Sequence, residues 1–141
     1  MKKYDVIASG SDGNAVLYHK SILVDCGVSF SSIQPYLYQL QLILLTHEHR
    51  DHINIETLRR ICGARPTVRV GCCDWMLPHL DKIRNVDVYE IGVEYNYRAF
   101  SLMPLKLYHD VPQCGYRIFK DGYRLIHCTD TQHLNGITAP G

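Results

Sequence analysis

Short apolar runs separated by polar, glycine-containing turns fill the first part of the chain. Apolar or alternating patterns predict three strands, at Tyr4–Ala8, Ala15–Tyr18 and Ile22–Asp25. The turn at residues 9–14 holds Gly10 and Gly13, and glycine adopts the backbone angles of tight turns at little steric cost. The beginning of the chain is therefore predicted to form a small set of adjacent strands.

The continuous apolar run Leu42–Leu45 predicts a strand buried on both faces, as in a sheet covered by a layer on each side. Asn54 is suited to cap a helix over Ile55–Cys62 that ends near Gly63. The polar segment 46–52 therefore lies on the loop at the carboxyl end of a buried strand. Open α/β architectures place their sites at such loops.

The remaining elements follow from the same patterns. Further strands are predicted at Thr67–Val70, Val86–Ile91, Ala99–Tyr108, Tyr116–Phe119 and Tyr123–Cys128. Helical segments are predicted at Ser29–Tyr38, with Ser29 as N-cap and a break at Pro35, and at Cys73–Ile83, interrupted near Pro78. Pro104 bends its strand or places it at a sheet edge. The last two strands are predicted to form a hairpin across Lys120–Gly122.

Composition indicates one globular domain over residues 1–141, with 46% hydrophobic and 21% charged residues. The formal charge of +1 indicates that a polyanionic substrate would be bound by a local patch. The N-terminal segment lacks the apolar run of a signal peptide, and no segment approaches the length of a membrane span. We therefore expect a cytoplasmic protein with no membrane partner.

Six cysteines, at positions 26, 62, 72, 73, 114 and 128, contain no C-x-x-C pair. In the absence of a secretory signal they are interpreted as free cytosolic thiols that pack as small hydrophobic residues. A second, thiolate zinc site is the alternative, although paired zinc ligands usually stand two to four residues apart.

The segment Thr46–His52 has the sequence Thr-His-Glu-His-Arg-Asp-His and is dense in metal-binding side chains. Imidazoles suit zinc-like metals, and carboxylates add hard oxygen ligands. Bringing such donors together is costly unless a cation lies between them. The segment therefore predicts a metal site, and the alternative is a polar loop whose histidines face solvent.

Two further polar residues end predicted strands. By alternation, His109 shares a face with Leu105 and Leu107, and Asp130 shares a face with Ile126. A carboxylate on an apolar face is costly unless it is paired or bound to a metal. Alone, each would be interpreted as a strand-end turn residue; beside the 46–52 segment, both become candidate ligands.

These features, in this order, resemble the metallo-β-lactamase superfamily. The matching segments are Leu23–Gly27, Thr46–His52, His109 and Thr129–Thr131, and the turn Ser9–Asn14 resembles that of a bacterial and phage branch containing exonuclease-type phosphodiesterases. The resemblance implies an α/β (α+β) fold, a four-layer αββα sandwich that lacks the last part of its second αβ half. In the family, that later segment supplies another metal-binding His.

The resemblance also implies a ligand set for two divalent ions, zinc or manganese. One ion would be held by His47, His49 and His109, and the second by Asp51 and His52, with Asp130 bridging. Asp25 would orient the ligand loop rather than bind metal. A water bound to such an ion can have a pKa of roughly 7, which supplies hydroxide at neutral pH.

The catalytic set expected from this resemblance is Asp51, Asp130 and His133. His133 is the nearest candidate for protonating a leaving group, and a solvated loop His is the alternative. Arg50 is suited to phosphate contact, since Arg makes bidentate bonds. The basic run Arg59–Arg69 is interpreted as a solvated face or as a phosphate-backbone patch.

The leading functional hypothesis is a metal-dependent hydrolase, a phosphodiesterase or nuclease that uses a metal-bound hydroxide on nucleic acid ends. Two alternatives remain open: a hydrolase of small phosphodiesters, such as cyclic nucleotides, or of other esters, and a metal-binding but inactive module acting through association. The expected partners are a nucleic acid or a small phosphodiester, and a homo-oligomer that completes the site.

Overall fold

The computed structural model describes residues 4–9, 13–47, 52–107, 114–120 and 122–127. Within them, ten strands form two sheets. The strands are β1 (Tyr4–Ala8), β2 (Ala15–Tyr18), β3 (Ile22–Val24), β4 (Leu42–Leu44), β5 (Arg69–Cys73), β6 (Val86–Tyr89), β7 (Tyr95–Asn96), β8 (Ser101–Lys106), β9 (Cys114–Lys120) and β10 (Tyr123–His127). The helices are α1 (Phe30–Ile33) and α2 (Ile55–Ala64), with 3₁₀ helices at Gln34–Gln39 and Asp74–His79.

The first sheet has the order β1-β2-β3-β4-β5-β6. Its first three strands are antiparallel, whereas β3, β4, β5 and β6 run parallel. Connections between parallel strands must cross over a face of the sheet, and the helical segments lie in these connections. The carboxyl ends of the four parallel strands therefore meet at one edge, and their amino ends at the opposite edge.

Side-chain alternation in the parallel strands builds two separate cores. Ile43 of β4 packs with Leu58 and Ile61 of α2, on the helical side of the sheet. Leu42 and Leu44 pack on the other side, against the second sheet. All residues of β4 are fully buried, so the prediction of a strand buried on both faces is confirmed.

The second sheet has the order β10-β9-β8-β7 and is antiparallel. Tyr123 of β10 pairs with Lys120 of β9, and Gly122 adopts a φ of 80°, so the predicted hairpin is confirmed. Pro104 lies in β8 beyond the two residue pairs that join β8 to β7, and its carbonyl accepts Gly92 N–H at 2.9 Å. Its missing N–H lies on this side of β8, where no strand residue pairs with it.

Several predicted boundaries were wrong for identifiable reasons. The helix expected at Ser29–Tyr38 is α1 followed by a 3₁₀ helix that has Pro35 at its start, where a missing N–H is tolerated. The Ser29 side chain bonds to neighbouring serines instead of capping α1. β5 begins later than predicted, because Val68 N–H is used in a turn to Arg65, and β5 extends to Cys73 by pairing with β6.

Two other segments also differ from their predictions. The helix expected at Cys73–Ile83 is a 3₁₀ helix at Asp74–His79 that contains Pro78. The strand expected at Ala99–Tyr108 is shorter and pairs with β7, which was not predicted. The predicted helix after Asn54 is present as α2, and the Asn54 side chain accepts a bond from Thr57 N–H at 3.2 Å. No helix among the described residues is long and apolar enough to cross a bilayer.

Candidate metal centre

The loop that carries the metal-binding motif is fixed where it leaves β4. Leu45 N–H donates to Gly71 of β5 at 3.0 Å, and Leu45 C=O accepts the hydroxyl of Tyr116 at 2.6 Å. Thr46 C=O accepts Cys114 N–H at 3.1 Å. The start of the loop is thus bonded to both sheets, which restricts the position of the next residue, His47. Sequence patterns alone gave no role to Tyr116 or Cys114.

Asp25 is the centre of a buried hydrogen-bond cluster. Its Oδ1 accepts Thr46 N–H at 2.9 Å, and both oxygens lie within 3.0 Å of the Thr46 hydroxyl. Its Oδ2 accepts from Nδ1 of His52 at 2.6 Å. We call Asp25, Thr46, His47 and His52 the Asp25 cluster. All four side chains are buried, with exposed fractions of 1% or less.

The backbone of Asp25 contributes to this placement. Its φ is 65°, in the left-handed region, which Asp tolerates better than most residues. Asp25 N–H donates to Leu44 at 2.7 Å, directly beside the start of the motif loop. The carboxylate contacts expected of a residue that orients the loop are therefore present. The left-handed angle itself was not visible in the sequence.

The hydrogen bonds select one tautomer for each histidine. The Asp25 carboxylate accepts Nδ1–H of His52, which leaves the lone pair on Nε2. The single hydroxyl proton of Thr46 goes to Asp25, so its oxygen accepts Nδ1–H of His47, at 2.8 Å. Both rings therefore keep Nε2 as an electron-pair donor, the form in which imidazole binds a metal.

The two imidazole rings lie side by side, with centroids 3.9 Å apart and planes tilted by 48°. The Nε2 atoms of both rings are buried. Two imidazoles supported by one carboxylate match the way proteins orient histidine ligands of divalent ions. The described donors thus fit a divalent cation, and His47 and His52 are the described residues that could hold it.

The other predicted site residues, namely His49, Asp51, His109, Asp130 and His133, lie outside the described residues. Among the residues that are described, no group of three or more His, Cys, Asp or Glu side chains is placed to hold a metal ion. On β10, the inner face carries Leu125 and His127 rather than Ile126, with which Asp130 was expected to share a face.

Gly13 and Asn14, just before β2, pack against the segment that follows Asp25. A Cβ added to Gly13 would lie 2.5 Å from the carbonyl oxygen of Gly27, so any side chain there would displace backbone. Gly27 N–H also donates to Asn14 at 3.0 Å. On the other side, Cys26 and Ile53 form a parallel bridge, and Cys26 N–H donates to His52 at 2.9 Å. Both flanks of the Asp25 cluster are therefore held by backbone contacts.

His127 is a buried histidine that sequence reasoning did not single out. Its Nδ1 lies 2.7 Å from the hydroxyl of Tyr18, and the two rings meet edge to face. Burial lowers the pKa of His127; the negative charge of Asp25 opposes this shift, and a proton on His52 would add to it. The alternation of β10, in which Leu125 points inward, is the sequence signal that could have found it.

The described cysteines are free thiols, as predicted. Burial raises the pKa of Cys26 to about 12, with the charge of Asp25 as a further cause, and burial raises the pKa of Cys72 to about 12. These thiols are protonated at neutral pH and behave as small hydrophobic residues. The thiolate zinc site considered as an alternative finds no support among the described residues.

A family model described as "Beta-lactamase superfamily domain" matches residues 20–138. The chain belongs to the metallo-β-lactamase superfamily. The fold prediction is confirmed, since solved members of this superfamily share the architecture. The metallo-β-lactamase fold protein YhfI from Bacillus subtilis superposes with a TM-score of 0.77 at 20% identity, covering 94% of this chain and 63% of that one. Human tRNase Z, short form, superposes with a TM-score of 0.70 at 16% identity, covering 94% of this chain and 70% of that one.

A curated relative is also similar in sequence. Exodeoxyribonuclease WalJ of Streptococcus pneumoniae is 30% identical over 150 aligned positions, which cover 94% of this chain and 55% of that protein. The chain thus spans about half the length of this curated relative. Superfamily membership supports a metal-dependent hydrolase or nuclease at the level of the family, and the fold implies divalent metal ions in general.

Proposed function

We propose that this chain is a metal-dependent phosphodiesterase that hydrolyses nucleic acids from their ends. The observation that carries the proposal is the Asp25 cluster, in which one carboxylate fixes the tautomers of His47 and His52 directly or through Thr46. Two relatives support the choice of substrate class, because their names describe an exodeoxyribonuclease and a tRNase.

For the ligands, we retain the division implied by the superfamily. His47, His49 and His109 would hold one divalent ion, and Asp51, His52 and the bridging Asp130 a second, with zinc or manganese as the metals. When bound, these ions would supply Lewis-acid chemistry and a water activated near neutral pH. His133 stays the proposed proton donor to the leaving group.

The contribution of the described residues is preorganisation. Asp25 holds His52 and Thr46, and Thr46 holds His47, so the imidazoles need no reorientation when metal arrives. Their burial excludes bulk water from the Nδ1 sides of both rings. A carboxylate that accepts an imidazole N–H also increases the basicity of the opposite nitrogen, which strengthens metal binding.

The test combines metal analysis with a substrate panel. Elemental analysis of wild type, His47→Ala and the exposed-site control His79→Ala is paired with assays on single-stranded DNA, RNA and a chromogenic phosphodiester. We expect metal and hydrolysis in wild type and the control, and loss of both in His47→Ala. Hydrolysis of the chromogenic diester and cyclic nucleotides alone would favour the small-diester alternative. Metal binding without any hydrolysis would favour the inactive module.

A further inference from the structure

A cleft lies at the amino ends of the parallel strands, at the edge opposite the Asp25 cluster. Gln41, just before β4, and Thr67, just before β5, line one side. Arg65 and the segment Tyr97–Phe100 between β7 and β8 line the other parts. We call this the amino-end cleft. Gln41 and His47 lie six residues apart along an extended segment, so the cleft is roughly 20 Å from the motif loop.

The two arginines of this cleft, unlike Arg59 and Arg69, have no carboxylate partner among the described residues. Arg59 is paired with Glu56 and Asp81, and Arg69 with Asp87, so both are neutralised locally. Arg65 instead donates to a backbone carbonyl, that of Leu37, at 2.8 Å, and keeps its positive charge. Arg98 is exposed and makes no ion pair within the described residues. No acidic side chain is among the described residues that line the cleft.

An aromatic pair also lines the cleft. The rings of Tyr97 and Phe100 stack with centroids 5.0 Å apart and planes 21° from parallel. The Tyr97 hydroxyl donates to Asp87 at 2.6 Å and also contacts the hydroxyl of Tyr89. The Tyr97 ring is therefore held in one orientation, half-buried, with its open part in the cleft.

We propose that the amino-end cleft binds a nucleotide unit, with phosphate on Arg65 and Arg98 and the base against Tyr97. Guanidinium groups without carboxylate partners are suited to bidentate phosphate contacts. A ring that is fixed before binding provides a stacking surface at low entropic cost, and stacking tolerates any base. The hydroxyl of Thr67 and the amide of Gln41 are exposed polar groups available to the sugar or base edge.

The nucleotide unit has two sources: a free nucleotide, or one residue of a nucleic acid strand. The strand source rests on the proposed function, whereas free-nucleotide binding does not. Binding is measured with EDTA present, so that no probe is hydrolysed. The probes are thymidine monophosphate, followed by amide chemical shifts, and a labelled oligothymidylate of about ten nucleotides, followed by fluorescence anisotropy.

Arg98→Glu is the test variant, because Arg98 is exposed and its loss leaves no buried group unpaired. Arg84→Glu is the matched control, with the same charge change at an exposed residue outside the cleft. We expect Arg98→Glu to weaken binding about ten-fold or more, and Arg84→Glu about two-fold or less. Weaker binding of both probes would assign the cleft to a nucleic acid strand. Weaker binding of the monophosphate alone would assign it to free nucleotides.

Equal effects of the two variants would overturn the proposal, because they would reflect general charge rather than a site. Failure of both probes to bind the wild-type protein would overturn it as well. Failure of the proposed function is distinguishable. If the protein binds nucleotides through Arg98 but hydrolyses none of the substrates, the proposed cleft stands and the proposed nuclease function is wrong. If the wild-type protein hydrolyses DNA but Arg98→Glu and Arg84→Glu bind the probes equally well, the proposed cleft is wrong and the proposed nuclease function stands.

Discussion

The two ends of the same four parallel strands carry polar clusters of different character. At the carboxyl ends, the Asp25 cluster is buried and every described contact of its carboxylate is to a neighbour on the motif loop. At the amino ends, Arg69, Asp87 and Tyr97 form a second cluster, in which the Arg69 and Asp87 side chains are 43% and 27% exposed. The hydroxyl of Tyr89, from the carboxyl end of β6, also contacts this cluster. Loss of an Asp25 contact leaves buried polar groups without hydrogen bonds, whereas water can replace a lost contact between Arg69 and Asp87.

The largest expected effect is that of Asp25→Ala. Removing the carboxylate leaves Thr46 N–H and Nδ1 of His52 without their acceptor inside the protein. Breaking a buried pair in this way costs about 3–5 kcal/mol of unfolding free energy. Urea denaturation followed by circular dichroism measures the loss. Asp25→Asn, which keeps the shape and tolerates the left-handed φ of 65°, should lose less.

A loss below about 1 kcal/mol for Asp25→Ala would contradict the view that this cluster is buried and tightly coupled, since that is the cost of an exposed pair. If Asp25→Ala does not fold, the Asn variant still gives a measurable value. Its histidines should also bind metal more weakly, because the amide no longer fixes the His52 tautomer as a carboxylate does.

Gly13→Ala tests the packing beside the Asp25 cluster and should have the next largest effect. The added Cβ would lie 2.5 Å from the carbonyl oxygen of Gly27, which is backbone and cannot rotate away. Such overpacking costs about 1–3 kcal/mol. Gly63→Ala is the control, since a Cβ there meets nothing within 4 Å and removing a helix glycine stabilises by about 0.5–1 kcal/mol. Effects of the same sign in both variants would contradict this assignment.

The carboxyl-end site could be predicted from the sequence only where it depends on local patterns. The motif Thr46–His52 and the run Leu42–Leu45 are local signals, so the strand and the site loop that follows it could be predicted. The contacts of Asp25 with Thr46 and His52 depend on a parallel strand pairing across the chain. Asp25 was expected to orient the loop from resemblance alone, and the route of that contact through Thr46 was not predicted.

The amino ends were less accessible to sequence reasoning. The strand β7 has only the two residues Tyr95–Asn96, too short for a period to be recognised. Arg69 and Asp87 come from different strands and meet through the pairing of β5 with β6. The basic run that contains Arg59 and Arg69 had two interpretations, and both residues prove to be paired with carboxylates. Only the three-dimensional structure shows that Arg59 and Arg69 have carboxylate partners and that Arg65 and Arg98 have none among the described residues.

The buried His127 should make the stability of the protein depend on pH. Its pKa is lowered by burial, so the unfolded chain, near the ordinary value of 6.5, binds the proton more tightly than the folded chain. Stability is therefore complete above about pH 6.5 and falls as the pH drops from there towards the folded pKa. We expect unfolding free energy to decrease between about pH 7.5 and 5.5, and less so in His127→Asn. Parallel pH profiles of the two proteins would contradict a role for His127.

The smallest effect is expected at the exposed end, from Asp87→Asn. Burial raises the pKa of Asp87, but hydrogen bonds from Arg69 and Tyr97 outweigh it and leave the pKa below the ordinary 3.8. The charge thus contributes stability above about pH 4, which is lost at lower pH. Because both partners of the pair are partly exposed, the variant should lose about 0.5–1 kcal/mol at neutral pH, measured by urea denaturation. A loss as large as that of Asp25→Asn would mean that this cluster is as tightly coupled as the buried one, and the contrast between the two ends of the strands would disappear.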